Sequence, residues 1–411
     1  MVRCIFSSCV VLFLMMQVLF AQAPRRDKGK FVESKSEFWD KIQTENRKFA
    51  EDEKEQFILD FDGMDIPKSK DEFKAVWHND PISQGNSGMC WCFCTTSFYE
   101  SEIYRTTGRK IKLSELHTVY WEYVEKARRY VQKQGNSVFE QGSMGNHVPV
   151  IWRKYGVVPA KDYTGLEKGE PFHDHEALLA DMKTYLKHVK ENYLWDEESV
   201  LRTIRSILDN HLGEPPRVIT VDGKEMTPVE YFNKVIKIDF NDYIDLLSLM
   251  EKPYGQFVLY PVEDNWWKSE EYYNIPLDPF MAVLKNAVRR GYSVAIGGDV
   301  SEAGYYSYAK AAVVPTFDIP SDYIDEHARQ FRFSNKSTTD DHGVHIVGHL
   351  DKNGEDWFLI KDSGSGSRNR PDEGYYYYHE DYIKLKMMDL LVHKDVLKGI
   401  VDIAGPEKEG K

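Results

Sequence analysis

The sequence predicts an α+β protein built as two lobes. Three observations carry that expectation. Segments of helical period follow residue 90, strand-like apolar runs fill the last hundred residues, and a 411-residue chain that is 42% hydrophobic and 13% aromatic can bury a sizeable core. A length of this order suits one large domain or two packed lobes, and a cleft between lobes is a common place for a functional site.

In chain order, a charged and polar N-terminal arm (24–56) contains an amphipathic helical pattern over 38–49, and 57–61 is a short apolar run. Asp80-Pro81 then breaks the chain ahead of Ser83-Gln84-Gly85-Asn86-Ser87-Gly88, which is loop chemistry. Residues 90–105 read as a helix with Trp91, Cys94 and Phe98 on one apolar face. A second helix is expected over 113–134, and a third within 142–159 that ends near Tyr155-Gly156. Residues 170–212 are helix-like and charge-rich, and 218–221 and 224–226 suit a hairpin around Asp222-Gly223. Helix is expected over 227–237 and strand over 256–261. An amphipathic helix over 277–290 leads into a buried strand over 293–297. Strands over 344–350, 357–362 and 374–378 complete a body spanning 57–395, with a helical insertion around 165–255 and a tail over 396–411.

The formal net charge of -13 repels phosphate backbones, so no nucleic-acid partner is expected. Residues 1–23 read as a secretory signal peptide: Arg3, an apolar run over 5–20, then Ala21-Gln22-Ala23 as a small-residue cleavage pattern. An uncleaved anchor is the alternative reading. The protein is therefore expected outside the cell or in the periplasm, with no stable membrane insertion once cleaved, since no other segment is apolar enough to span a bilayer. Cleavage removes Cys4 and Cys9 and leaves only Cys90, Cys92 and Cys94. Three thiols within five residues make neither a disulfide framework nor a structural zinc site, which leaves chemistry at one thiol as the natural suspicion.

Cys90 sits where a glycine-containing loop enters a helix, and the partial positive charge of a helix start favours a thiolate. The Cys90 N–H is free there, and the side-chain amide of Gln84 is a candidate second donor to a developing oxyanion. These local features are equally those of a cysteine simply buried at a helix start.

The segment Gln84-Gly85-Asn86-Ser87-Gly88-Met89-Cys90-Trp91-Cys92-Phe93 resembles the nucleophile segment of the papain superfamily, and its Ser-Gly-x-Cys-Trp-x-Phe pattern is most similar to the aminopeptidase C and bleomycin hydrolase branch. Residues 154–159 and 227–231, Tyr273-Asn274-Ile275-Pro276 and Gly298-Asp299-Val300 are similar to later landmarks of that branch, so the resemblance runs with gaps from about residue 55 to about 395. It implies a papain-like fold with a helical lobe bearing the nucleophile and a β-rich lobe bearing the histidine. Asp341-His342-Gly343-Val344-His345-Ile346-Val347-Gly348 resembles the histidine strand, with His342 on the catalytic position; His345, three residues on, faces the other side of a strand. The family's orienting asparagine, followed by Ser-Trp-Gly, corresponds here to Asp362-Ser363-Gly364-Ser365, so an aspartate replaces the asparagine and the tryptophan is missing. The Cys90–His342 separation exceeds the roughly 130–150 residues of the short papain type, as the longer branch would have it.

The resemblance implies peptide-bond hydrolysis through an acyl-enzyme on Cys90, with peptides as partners and no metal or organic cofactor. His342 would act as base, Asp362 as its orienting partner, and Gln84 with the Cys90 N–H as oxyanion donors. It also implies an aminopeptidase whose C-terminal carboxylate captures the substrate amine, assembled as a homo-hexamer. The charged, proline-containing tail over 404–411 departs from that arm, so a secreted endopeptidase is the alternative. The altered Asp362-Ser363-Gly364 stretch leaves a catalytically impaired peptide-binding homologue as a third reading.

Overall fold

The computed structural model describes residues 27–33, 55–166, 169–369 and 371–403. The expected signal peptide, Cys4, Cys9, the helical pattern over 38–49 and the tail over 404–411 lie outside the described residues. The described chain begins with an antiparallel pair, β1 (Gly29–Glu33) on β2 (Glu55–Leu59). This pair crosses the expected boundary between arm and body. A short β3 (Lys74–Ala75) precedes the nucleophile loop.

The helical lobe follows. α1 (Cys90–Thr107) stops at Gly108, whose left-handed φ of 71° favours a residue without a Cβ. α2 (Glu115–Gln132) is capped by Ser114, whose side chain accepts from the His117 N–H. α3 (Val148–Tyr155), α4 (Glu176–Glu191) and α5 (Glu197–Leu212) pack around them. Their apolar faces merge into one core through Phe98, Tyr120, Trp152, Leu186 and Ile204. The expected hairpin is β4 (Ile219–Val221) on β5 (Lys224–Met226). The helix expected over 227–237 is α6 (Pro228–Tyr231) followed by one π-helical turn over Phe232–Ile236.

The second lobe is an eleven-stranded sheet among the described residues. Its strands are β3, β6 (Tyr243–Leu247), β7 (Gln256–Val258), β8 (Tyr272–Asn274), β9 (Val294–Gly298), β10 (Tyr305–Tyr306), β11 (Ala311–Ala312), β12 (His342–Lys352), β13 (Glu355–Lys361), β14 (Tyr375–His379) and β15 (Met387–His393). Most neighbours are antiparallel; β6 with β8 and β11 with β14 are parallel. α7 (Leu277–Arg289), α8 (Glu326–Ser334) and α9 (Glu380–Lys386) complete it.

β12 lies between two cores. Val344 and Ile346 join Phe280, Leu284 and Ile383 on one face, whereas Gly343 and His345 meet α1 on the other. Two expected boundaries move. β6 is a central strand of the sheet, so the helical insertion ends before Tyr243. Val396 and Leu397 are buried in the β-lobe core, with Ile400, Val401 and Ile403 packed on it, so the body runs through Ile403 rather than stopping at 395.

Candidate active site

Cys90 opens α1. Its neighbour Met89 occupies the N-cap without a side-chain cap, and while the Cys92 and Phe93 N–H groups donate to the Met89 carbonyl, those of Cys90 and Trp91 stay available to a ligand. The loop ahead of it is tightly tied. Gln84 Nε2 donates to the Ser87 carbonyl (2.5 Å), and Ser87 Oγ donates to the Gln84 carbonyl (2.6 Å). The Gly88 N–H donates to Gln141 Oε1 (2.6 Å), and the Asn86 N–H to the His173 carbonyl (2.7 Å). One Gln84 N–H bond is thus spent on Ser87, which leaves one for a substrate oxygen, and Gln84 lines the open cleft.

His342 begins β12 because Gly298 of β9 pairs with it at the strand end. Its Nε2 lies 2.7 Å from Asp362 Oδ1, just beyond β13, and its ring lines one recess together with Cys90. Sequence positions 90, 342 and 362 therefore meet in one place. Asp362 Oδ1 also accepts from the Gly364 N–H (2.8 Å). Burial opposes charge on His342, but the Asp362 carboxylate, its hydrogen bond and Cys90 outweigh that and raise the imidazole well above its usual range. Burial likewise opposes charge on Asp362, yet His342 and the Gly364 N–H hold its carboxyl below the usual carboxylate range. The pair is poised as imidazolium and carboxylate.

Gly343 must be small because α1 crosses there: a Cβ would sit 2.9 Å from Cys94 Sγ. His345 faces α1 two turns beyond Cys90, buried, with Nδ1 2.9 Å from Ser97 Oγ, which also accepts from Lys361 Nζ (2.9 Å). Burial pushes His345 down and Lys361 down to about 8, so the ring is neutral. His349 is half-buried further along the strand. Burial pushes the Cys92 and Cys94 thiols up, which keeps both protonated inside the core.

Sequence reasoning missed the residues that hold the two lobes together here. Ser363 Oγ donates to Gln84 Oε1 (2.7 Å), and the Gln84 N–H donates to the Ser363 carbonyl (3.0 Å). Arg368 Nη2 donates to the carbonyls of Ile82 (2.6 Å) and Asp362 (2.8 Å). The opposite wall is fixed by buried Glu122, which accepts from Ser143 Oγ (2.5 Å) and Trp266 Nε1 (2.7 Å) and pairs with His147 Nδ1 (2.5 Å). No local sequence pattern marks these residues, because their partners lie far away along the chain.

The profile of the Peptidase C1-like family matches residues 140–403, a span that carries His342 and Asp362. The chain belongs to that family. As a member it is a cysteine-type peptidase of the papain superfamily, in the branch that holds aminopeptidase C. It is 24% identical to aminopeptidase C of Listeria innocua over 57% of this chain, and that alignment spans 63% of the relative, less than two thirds of its length. It is 21% identical to aminopeptidase G of Lactobacillus delbrueckii subsp. lactis over 77% of this chain and 81% of that protein. The crystal structure of PepW from Lactobacillus rhamnosis HN001 shares the fold, with a TM-score of 0.62 at 17% identity over 79% of this chain and 82% of that one. The papain-like α+β fold expected from the sequence is the fold of this C1-like peptidase.

Proposed function

We propose that this C1-like peptidase is an aminopeptidase that works through an acyl-enzyme on Cys90. The single observation that supports this most is the line from the Cys90 thiol to the His342 ring and on to Asp362 Oδ1, 2.7 Å beyond. The Cys90 thiolate attacks the scissile carbonyl, forming the S–C bond while the carbonyl π electrons move to oxygen. The Cys90 N–H and the remaining Gln84 N–H stabilise that oxyanion. His342 gives its proton to the leaving amine as the C–N bond breaks, then takes a proton from the water that releases the acid and frees the thiolate. Asp362 holds the imidazole in place throughout. Exopeptidase rather than endopeptidase action is favoured by the aminopeptidase relatives.

Replacing Cys90 with Ala is expected to abolish hydrolysis of aminoacyl coumarylamides, and iodoacetamide at neutral pH should label Cys90 far faster than an ordinary thiol. Wild-type turnover by the Ala variant ends the proposal. We further read the protein as exported and hexameric. The N-terminal sequence and native mass of protein recovered outside the cell check both points together.

A further inference from the structure

Beyond Cys90 and His342 the cleft runs into a recess of about 40 Å³ whose walls are rich in carboxylates. Asp245 on β6, Asp264, Asp340 just ahead of β12, and Asp389 on β15 line it beside Cys90, and the lining contains no lysine or arginine. The strand register explains why they converge. Asp389 pairs with Gly297, and Asp245 lies opposite Leu391, so both side chains share the face that carries Ala295 and Leu391 toward the helical lobe. Gly297 supplies the space. A Cβ there would lie 2.4 Å from Asp389 Oδ1 and 3.2 Å from Asp340 Oδ1, so both oxygens border one small volume.

Apart from the His342 ring at its edge, the lining supplies no positive side chain to these carboxylates. Asp389 Oδ1 is buried with no hydrogen-bond partner. Arg329, whose charge reaches Asp389, spends its guanidinium on the carbonyls of Ser248 (3.0 Å) and Lys384 (2.7 Å). Burial first, and then mutual repulsion, pushes Asp340 and Asp245 well above the usual carboxylate range, and Asp264 and Asp389 also rise. No group of three or more acidic, histidine or cysteine side chains among the described residues is placed to hold a metal ion.

Building on the peptidase reading, we propose that this recess binds a protonated amine of the substrate, received by Asp340 and Asp389. Its size suits an ammonium head, since about 10–15 Å³ of such space already holds one water molecule. Charge-assisted hydrogen bonds in a recess shielded from solvent are the strong ones. Asp340 and Cys90 line the same recess, so an ammonium held there sits beside the attacked carbonyl. It comes either from the free N-terminus of the residue being cleaved or from a lysine one residue earlier. In either case the carboxylates of the cleft wall perform the amine capture.

Two pairs of substrates separate these sources. Alanyl against acetyl-alanyl coumarylamide tests the free amine, and acetyl-lysyl-alanyl against acetyl-leucyl-alanyl coumarylamide tests the side chain. The wild type is expected to favour the cationic member of at least one pair by about tenfold or more in kcat/KM. Asp340→Asn and Asp389→Asn, singly and together, should shrink that ratio toward one. Hydrolysis without a cationic preference in either pair, or a preference untouched by both variants, overturns the recess and leaves the peptidase reading standing. Calorimetric binding to the Cys90→Ser protein is read separately, with alanine amide against acetyl-alanine amide and lysine amide against norleucine amide. Tighter binding of a cationic amide without any hydrolysis by the wild type keeps the recess and ends the peptidase reading. Equal binding within both pairs counts against the recess even if the Asn variants fail to fold.

Discussion

At Asp362 the chain carries a full negative charge where the motif it resembles has a neutral amide, and the charge acts on a buried ring. Its coupling to His342 has a defined pH window. The raised His342 contributes stability fully below its unfolded pKa of about 6.5 and loses it as pH rises through the folded value. The lowered Asp362 contributes above its unfolded pKa of about 3.9 and loses it as pH falls through the folded value. Both contributions are complete between roughly pH 4 and 6.5. Asp362→Asn should therefore move the alkaline limb of the kcat/KM profile toward lower pH. A limb that stays where the wild type has it means that Asp362 does not set the charge of His342. Gly364 is the second departure: a Cβ there would lie 3.3 Å from His342 Cε1 and Nε2, where the family motif places its tryptophan. Gln84, Cys90, His342 and Asp362 were legible because they fall within three short motifs, the first of which holds both Gln84 and Cys90. Ser363 and Arg368 were not, because their partners at Gln84 and Ile82 lie far away in sequence and no local pattern marks a contact between lobes.

Among the elements, α1 against β12 does the most to set the site. Gly343 lets the helix approach, so Gly343→Val should cost about 1–3 kcal/mol through overpacking and reduce kcat/KM by displacing Cys90 from His342. Adding Cys94→Ala should recover part of both losses, read by urea denaturation and kinetics. Strict additivity of the two changes rules out the Cys94 contact as the reason for glycine. The same scale shows what sequence patterns hide. β6 reads Tyr-Ile-Asp-Leu-Leu and β15 reads Met-Met-Asp-Leu-Leu-Val-His, each with an aspartate inside an apolar run, and neither was expected as a strand. Those two aspartates, Asp245 and Asp389, line the recess, so the groups that obscured the strands are part of its acidic wall. The helix expected over 227–237 loosens into a π turn where Phe232 and Ile236 both have to reach the core.

For the molecule as a whole, the end of the body matters more than the sequence suggested. Leu397 is buried beneath α7, so Leu397→Ala should destabilise the fold by about 2–5 kcal/mol, visible as a lower denaturation midpoint. An unchanged midpoint would mean that residues past 395 are a dispensable tail. The net charge of -13 and the acidic recess act in the same direction, so kcat/KM for a cationic peptide is expected to fall as salt rises and that for a neutral one to stay nearly level.

The eleven-residue β12 has a consequence in time as well as in space. It carries His342 at one end, holds α1 along one face, and at Gly348 and His349 pairs with Lys74 and Ala75, which were made long before it. Its neighbours β9, β13 and β15 also come late in the chain. A ribosome-bound chain that has completed the helical lobe therefore possesses the nucleophile but not the base. Proteolytic capacity switches on only near the end of synthesis, when the last strands close the sheet.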